Sequence, residues 1–369
     1  MARQLPNPLL PELEAQDAHL TDLPWPSGKG SVTAALHFGD PAAEQQALLT
    51  GAAIADLTGR SLLRVTGRDR LTWLHGLCTQ EIKSLEPGQG AYACHVDIKG
   101  KIQTDLRVTL LPDSGDLLLD MEPGEARRMR RAFKRYIIME QVKVADVTDA
   151  QATIGLFGPD ASAALQQATG ADLSALPTHH VREVQLAGVE ILAIASELIG
   201  QRGYRLVCPR EQTREVWSAL REQGLAAAGH EALEATRIRL GRPRFGADLT
   251  DSVLFNEALL ADAVSFTKGC YLGQEIVERV DARGRVGRKL LGLRLMCDRE
   301  ALPPVGSAIA NASRALGHLT SVAWQEDLGY GAALGLIHRA DNEPGASLLI
   351  RPDDGPEVEA IVALRDGIA

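Results

Sequence analysis

Two stretches of the chain repeat one local plan. Residues 61–66, SLLRVT, read as a short strand, and Gly67 follows it. Leu71, Leu74, His75 and Leu77–Cys78 then recur at helical spacing, with Thr66 or Asp69 placed to cap the helix start. At 153–165 the plan returns as TIGLF, Gly158-Pro159-Asp160 and ASAALQQA. Strand, Gly-x-Asp, amphipathic helix is thus written twice, which points to a duplicated α+β subdomain.

Between the copies, YACHVDIKGKIQTDLRVTLL and DLLLDM read as strands around a turn at Lys99-Gly100. A helix follows, EARRMRRAFKRYI, with Ala126, Met129, Phe133 and Tyr136–Ile137 on one side. Its other faces carry Arg127, Arg128, Arg130, Arg131, Lys134 and Arg135. Six cations in nine residues form either a solvated face or a docking patch for RNA phosphates or another polyanion. Residues 230–240, HEALEATRIRL, give a further helix that Gly241 ends and Pro243 stops. After Arg288 the texture becomes short β-like runs separated by Gly, Pro and Asp, the pattern of a small antiparallel barrel or sandwich. Five prolines among the first 26 residues suggest a loosely held arm. The expected division is a flexible arm at 1–30, two α+β subdomains over 31–283, and a β-barrel over 284–369.

The net charge of −9 is opposite to that of a dedicated nucleic-acid binder, so direct RNA contact is not expected. Five scattered cysteines without a CxxC pair show no local zinc or iron–sulfur ligand set, and free thiols fit a reducing compartment. The N-terminus lacks a signal-peptide apolar core, and no run is long enough to span a membrane, so a cytoplasmic location is expected.

One cysteine stands apart. In SFTKGCYLGQEIVE, Cys270 follows a Lys268-Gly269 turn and precedes a short helix beginning near Glu275. A cation and a helix N-terminus both favour a thiolate. A small buried cysteine packing behind a loop is the plainer alternative. The following segment, ERVDARGRVGRKL, holds Arg279, Arg283, Arg285, Arg288 and Lys289. Its two glycines suit either a loop that wraps an anionic tail or a solvated linker.

The stretch from Lys268 to Glu275, KGCYLGQE, closely resembles the KGCYxGQE signature of YgfZ-type folate-binding proteins, relatives of the glycine-cleavage aminomethyltransferases. The likeness extends through RVTGRDRLTWLHGLCTQEI, LEPGQGAYACHVDIKGKI, the Arg237–Pro243 segment, GHLTSVAW and YGAALGLIHR. The resemblance implies a ring of two α+β subdomains and a C-terminal antiparallel barrel around a cavity for tetrahydrofolate or a derivative. It also implies support of iron–sulfur proteins, and through them of tRNA modification, with reduced folate and iron–sulfur proteins as partners.

Carried over residue by residue, the resemblance makes Cys270 and Lys268 the reactive pair, with the sulfur facing the folate cavity. Arg237 matches an arginine that lines the folate pocket. Asp105 remains of an aspartate pair whose other member is Thr104, and Gln201 stands where the transferases carry a glutamate that holds the pterin. With two carboxylates replaced by Thr and Gln, folate binding is expected to persist while aminomethyl transfer from a lipoyl carrier is not. Arg283, Arg285 or Arg288 would meet the glutamate tail. Folate-dependent one-carbon transfer and an RNA-binding module are the two alternatives.

Overall fold

The computed structural model describes residues 3–284, 286–339 and 343–368, without the side chains of Arg3, Arg283 and Asp366. Its elements in chain order begin with β1 (Arg3–Leu5), α1 (Leu10–Ala15), β2 (His19–Pro24), β3 (Gly30–His37), α2 (Pro41–Thr50), β4 (Ala53–Asp56), β5 (Ser61–Thr66) and α3 (Arg70–His75). The middle of the first half supplies β6 (Gly90–Val96), β7 (Ile102–Leu110), β8 (Leu117–Met121), α4 (Glu125–Lys134) and β9 (Lys143–Asp146). Then come β10 (Gln151–Phe157), α5 (Ala161–Thr169), β11 (Val181–Leu186), β12 (Val189–Ser196), β13 (Gly203–Pro209), α6 (Thr213–Glu222), β14 (Ala226–Ala228), α7 (His230–Arg239) and α8 (Gln274–Arg283). Strands β15 (Arg288–Met296), β16 (Ala308–Ala310), β17 (Ala315–Gln325), β18 (Tyr330–His338), β19 (Ser347–Arg351) and β20 (Val358–Ala363) close into an antiparallel barrel. The fold class is mixed α+β with a C-terminal barrel, as the sequence pattern predicts.

The repeated unit becomes two sheets of matching order. The first runs β6-β7-β8-β5-β9, and the second runs β11-β12-β13-β10-β4 with β14 added at its edge. Their fifth strands are exchanged. β9, which leads into the second unit, pairs antiparallel with β5; β4, which leads into the first, pairs antiparallel with β10. The turn glycines make the exchange possible. Gly67 has φ +105° and Gly158 φ +124°, and a Cβ there would lie 2.0 Å from the Gln141 carbonyl oxygen and 2.2 Å from that of Gly51. Those are the chain segments entering β9 and β4, so each unit is bound to the other's incoming strand at a place where only glycine fits.

Residues 1–30 were expected to be a loose arm, and the described part, 3–30, corrects this. β1 and β2 flank β3 in a three-stranded sheet, and Leu9 and Leu13 are fully buried in the core of the second sheet. Pro11 sits in the first turn of α1, where its missing N–H costs nothing. The apolar residues between the prolines, rather than the prolines, decide the outcome.

Where the two sheets face each other, Leu62, Leu118, Val181, Ile194 and Val207 form an apolar layer. Beside it lies a buried ionic network. Asp120 at the end of β8 takes Arg60 Nε at 2.5 Å and also pairs with Arg205 of β13; Arg60 Nη1 reaches Glu122 at 2.6 Å. Burial pushes the Asp120 carboxyl up, but Arg60 and Arg205 outweigh it and hold it below the ordinary carboxylate value. Burial pulls Arg205 down to about 10, against the pull of Asp120. Removing one member of such a network leaves an uncompensated buried charge. Asp120→Asn should therefore lower unfolding free energy in urea by about 3–5 kcal/mol at neutral pH. Because the folded value lies below the unfolded one, this stabilisation is lost as pH falls through the folded value. Wild type and variant should converge in acid.

Candidate functional site

A cavity of about 350 Å³ opens where the N-terminal sheet, both main sheets and α7 meet. Its size lies within the roughly 300–1,000 Å³ typical of small-molecule sites. One side is apolar: Leu23, Pro24 and Pro26 from the N-terminal hairpin, Val32 and Ala34 from β3, and Leu57, Leu198, Ile199 and Leu233. The other side carries Asp56, Arg60, Asp105, Arg107, Glu122, His230, Glu234, Arg237 and Arg244.

Most of these charges are spoken for inside the protein. Both Asp56 oxygens accept hydrogen bonds, from Thr58 N at 2.9 Å and Asn7 Nδ2 at 2.6 Å. Glu122 is held by Arg60, and Glu234 by Arg237 at 2.6 Å and Arg244 at 3.1 Å. Asp105 differs. Its Oδ2 accepts from Tyr92 Oη at 3.0 Å and lies 3.5 Å from Arg107 Nη1, while its buried Oδ1 has no partner. Arg60 Nη2 and Arg107 Nη1 are likewise buried without a hydrogen-bond partner. Burial pushes the Asp105 carboxyl above its ordinary value, and Arg107 only partly offsets this. Burial also keeps the His230 imidazole below its ordinary value, favouring the neutral ring. The floor beside the apolar wall thus carries Asp105, Arg60 and Arg107, each with one buried atom whose hydrogen bonding is unmet within the protein. A flat, polar-edged heterocycle such as a pterin needs an apolar face and polar groups at its edge, so the residue types present fit the group.

Of the residues named from sequence, Asp105 and Arg237 line this cavity. Arg237, however, has its guanidinium committed: Nε and Nη2 to Glu234, Nη1 to Asp248 at 2.9 Å and the Arg242 carbonyl at 3.2 Å, Nη2 also to Ser321 at 2.8 Å. It joins α7, the 242–248 loop and β17 of the barrel, which makes it a structural joint. Gln201 follows the Gly200 turn, half-buried, and does not line the cavity, although Leu198 and Ile199 just before it do. Arg288 pairs with Glu257 at 3.0 Å and so fastens the start of the barrel. The Arg283 side chain and all of Arg285 lie outside the described residues.

The signature cysteine is reachable but placed elsewhere. Cys270 is exposed, three residues before the Gly273 N-cap of α8, and is not among the residues lining the cavity. Lys268 was expected to act on the thiol, and the structure corrects this. Its buried Nζ donates to the carbonyls of His75 at 2.6 Å, Cys78 at 2.6 Å and Gln80 at 2.9 Å, and lies 4.9 Å from the Tyr271 ring centre. All three ammonium protons are used to pin the signature loop onto the turn after α3. Burial draws Lys268 down to about 8. Cys78, Cys94 and Cys208 are buried. No group of three or more potential metal ligands occurs among the described residues, and no helix there is long and apolar enough to cross a membrane.

Sequence reasoning missed Arg60, Arg107, Glu122, Glu234 and the N-terminal wall. A signal existed for part of this. Asp105 and Arg107 stand two apart in β7, and Asp120 near the end of β8 stands two before Glu122 in an apolar run, the spacing that puts strand residues on one face. Adjacent strands β7 and β8 then set Arg107 opposite Asp120.

The two α+β sheets and the closing barrel are the fold of a solved aminomethyltransferase. The aminomethyltransferase T of the Bartonella henselae glycine cleavage system superposes over 100% of this chain and 99% of its own, with a TM-score of 0.87 at 19% identity. The chain belongs to the GCVT family, whose N-terminal-domain model matches residues 30–268. Among its relatives, a putative chloroplastic transferase of Arabidopsis thaliana is 26% identical over 314 residues, 85% of this chain and 70% of that one. The aminomethyltransferase of Bacillus subtilis is 25% identical over 308 residues, 82% and 84% of the two chains.

Two variants separate the roles assigned above. Lys268→Met should cost ~2–3 kcal/mol in thermal or urea unfolding, the scale for losing hydrogen bonds to a charged group. The pH profile of Cys270 alkylation should stay where it is in the wild type; a displaced profile would return Lys268 to the chemistry. For Asp105, the folded value lies above the unfolded one, so the ionised carboxylate is the disfavoured form in the fold. Its cost is full at high pH and vanishes below the unfolded value. Asp105→Asn should raise the melting temperature at neutral pH, with the gain shrinking as pH falls through the raised value.

Proposed function

We propose that this protein binds a reduced folate, tetrahydrofolate or a derivative, in the cavity floored by Asp105. One observation carries the reading. Among the carboxylates lining the cavity, Asp105 keeps a buried oxygen with no protein partner, set opposite an apolar wall. A ring amide or amino group of a pterin is the kind of donor that would satisfy it, and Arg60 Nη2 and Arg107 Nη1 would donate to ring acceptors. Membership of the GCVT family supports the same ligand. When bound, the folate would carry the one-carbon chemistry. The chain's own part is to hold the ring, orient it through Asp105 and exclude water with the N-terminal hairpin.

The finer role we assign is that of an accessory protein for iron–sulfur proteins and, through them, for tRNA modification. The support is the KGCYLGQE likeness to YgfZ-type proteins, the exposure of Cys270, and the replacement of the second aspartate by Thr104. Thr104 is buried and its hydroxyl is turned to the Asp105 backbone carbonyl at 2.9 Å, so it adds no acid–base group to the cavity. The second reading, aminomethyl transfer, draws on Asp105 itself, a carboxyl whose raised value suits proton handling.

Titration calorimetry with tetrahydrofolate tests the first claim. Binding should weaken roughly tenfold or more in Asp105→Asn, the scale of losing one hydrogen bond to a charged group. Absence of binding, or an unchanged affinity in the variant, would remove the cavity as a folate site. Turnover of an aminomethyl-lipoyl donor that vanishes in the same variant would decide for transfer. Faster recovery of a damaged iron–sulfur enzyme, lost in Cys270→Ser, would decide for the accessory role.

A further inference from the structure

Between α4 and β9 lies a hollow of about 550 Å³ that shares no lining residue with the cavity. Its helix side is a single stripe, Arg130 and Lys134 one turn apart on α4 with Ile137 just past the helix end. Its strand side is residues 142–146. Successive strand residues face opposite ways, so a hollow that meets all of these in a row follows the backbone edge of the strand. β9 is the last strand of its sheet and pairs with β5 alone. Val147 N donates to Leu62 O at 3.0 Å, and from there the register runs through Arg64–Ala145 to Thr66–Lys143. Antiparallel pairs alternate between bonded and unbonded, so Lys143 and Ala145 turn their backbone groups to β5. Val144 and Asp146 turn theirs to the hollow, where no acceptor meets either amide among the described residues.

The hollow is basic. Arg130, Lys134 and Lys143 have no ion-pair or hydrogen-bond partner among the described residues. The acid on its border, Asp146, is engaged with Thr148 Oγ1 at 2.7 Å. Where α4 hands over to β9, Ile138 and Met139 are 84% and 91% exposed, the highest values of any large apolar residue described. The turn that carries them is anchored. The Glu140 carboxylate accepts from their backbone amides at 2.7 and 3.0 Å, and Gln141 N donates to Asp69 Oδ2 at 2.7 Å. A sheet edge with unmet backbone groups, a set of unpaired cations and a fixed apolar tip thus lie together.

We propose that this hollow receives an extended acidic segment of a partner protein, laid beside β9 as an added strand. Its main chain pairs with Val144 and Asp146, and its carboxylates meet Arg130, Lys134 and Lys143. Strand addition draws affinity from main-chain hydrogen bonds and selectivity from alternate side chains. Ile137, Val142 and the Ile138–Met139 tip suit apolar residues set between the acids. A second copy of this chain is a poorer occupant, because it would set the same three cations against each other, and a lysine on an edge strand opposes self-pairing. RNA would meet the cations but could not match alternating backbone N–H and C=O groups, and no aromatic side chain lines the hollow for base stacking. Nothing in this docking depends on the folate reading of the cavity.

The experiment uses the full chain and two synthetic peptides with blocked ends, one alternating glutamate and valine, the other lysine and valine. Affinities are measured by fluorescence anisotropy at low and high salt, and amide hydrogen exchange is followed with and without peptide. A variant carrying Arg130→Gln, Lys134→Gln and Lys143→Gln is measured beside the wild type, with thermal melts confirming that it is folded. The glutamate peptide should bind at least roughly tenfold tighter than the lysine peptide, the scale of three exposed ion pairs. It should slow exchange at the Val144 and Asp146 amides, and its advantage should shrink at high salt and disappear in the triple variant. Equal affinities for the two peptides, an advantage that survives the triple variant, or binding without protection of those two amides would overturn the proposal. Binding of single-stranded RNA that depends on the three cations, with no binding of the glutamate peptide, would overturn it in favour of a nucleic-acid site. Dimerisation of the wild type in sedimentation that masks the same two amides would overturn it in favour of a second copy.

Discussion

Asp120 is the point from which the site is built. It sits at the end of a strand of the first sheet, grips Arg205 of the second, and holds Arg60 from the loop that leads into β5. Two arginines buried this deeply need a shared anion, because a guanidinium cannot give up its charge. Once Arg60 is fixed, its other nitrogen fixes Glu122, and Glu122 with Glu234 frames Arg244. The polar floor of the cavity is a continuation of the network that joins the two sheets. The strand exchange serves the same end from outside, since neither sheet has its fifth strand without the other unit.

Within that frame, one carboxylate is left unmatched. Asp105 stands on β7, beside the strand that bears Asp120, and is held by Tyr92 and Arg107 on one oxygen only. A buried polar atom without a partner is costly in the empty fold, and a ligand that supplies the missing donor recovers that cost. If the proposed folate binds there, the stability given up at Asp105 returns as affinity. The signature loop contributes differently: Lys268 anchors it, Arg237 ties the neighbouring helix to the barrel, and Cys270 is left at the surface, free of both.

The N-terminal thirty residues show why composition misleads about order. Five prolines suggested an arm, yet proline is compatible with strand ends, turns and the first turn of a helix, which is where Pro24, Pro26 and Pro11 fall. Leu5, Leu9 and Leu13 are buried, and the hairpin that follows supplies a wall of the cavity. Asn7 makes the attachment specific by hydrogen-bonding Asp56 at the cavity edge.

The α+β units, their repetition, the barrel, the basic helix and the signature loop were all legible in the sequence, because each is local. Strand and helix periods, Gly-x-Asp turns and eight consecutive residues of a motif need no knowledge of what lies across the molecule. Asp105 was legible for the same reason, through its place in a strand shared with relatives. Which charges meet was not. Arg60 lies 145 positions from Arg205, and Lys268 lies 188 to 193 from the carbonyls it binds. A lysine beside a cysteine reads as an activator until the fold turns its ammonium inward to three backbone oxygens. Only the tertiary structure decided this, because a buried cation takes the partners that burial leaves it, and sequence adjacency does not choose them.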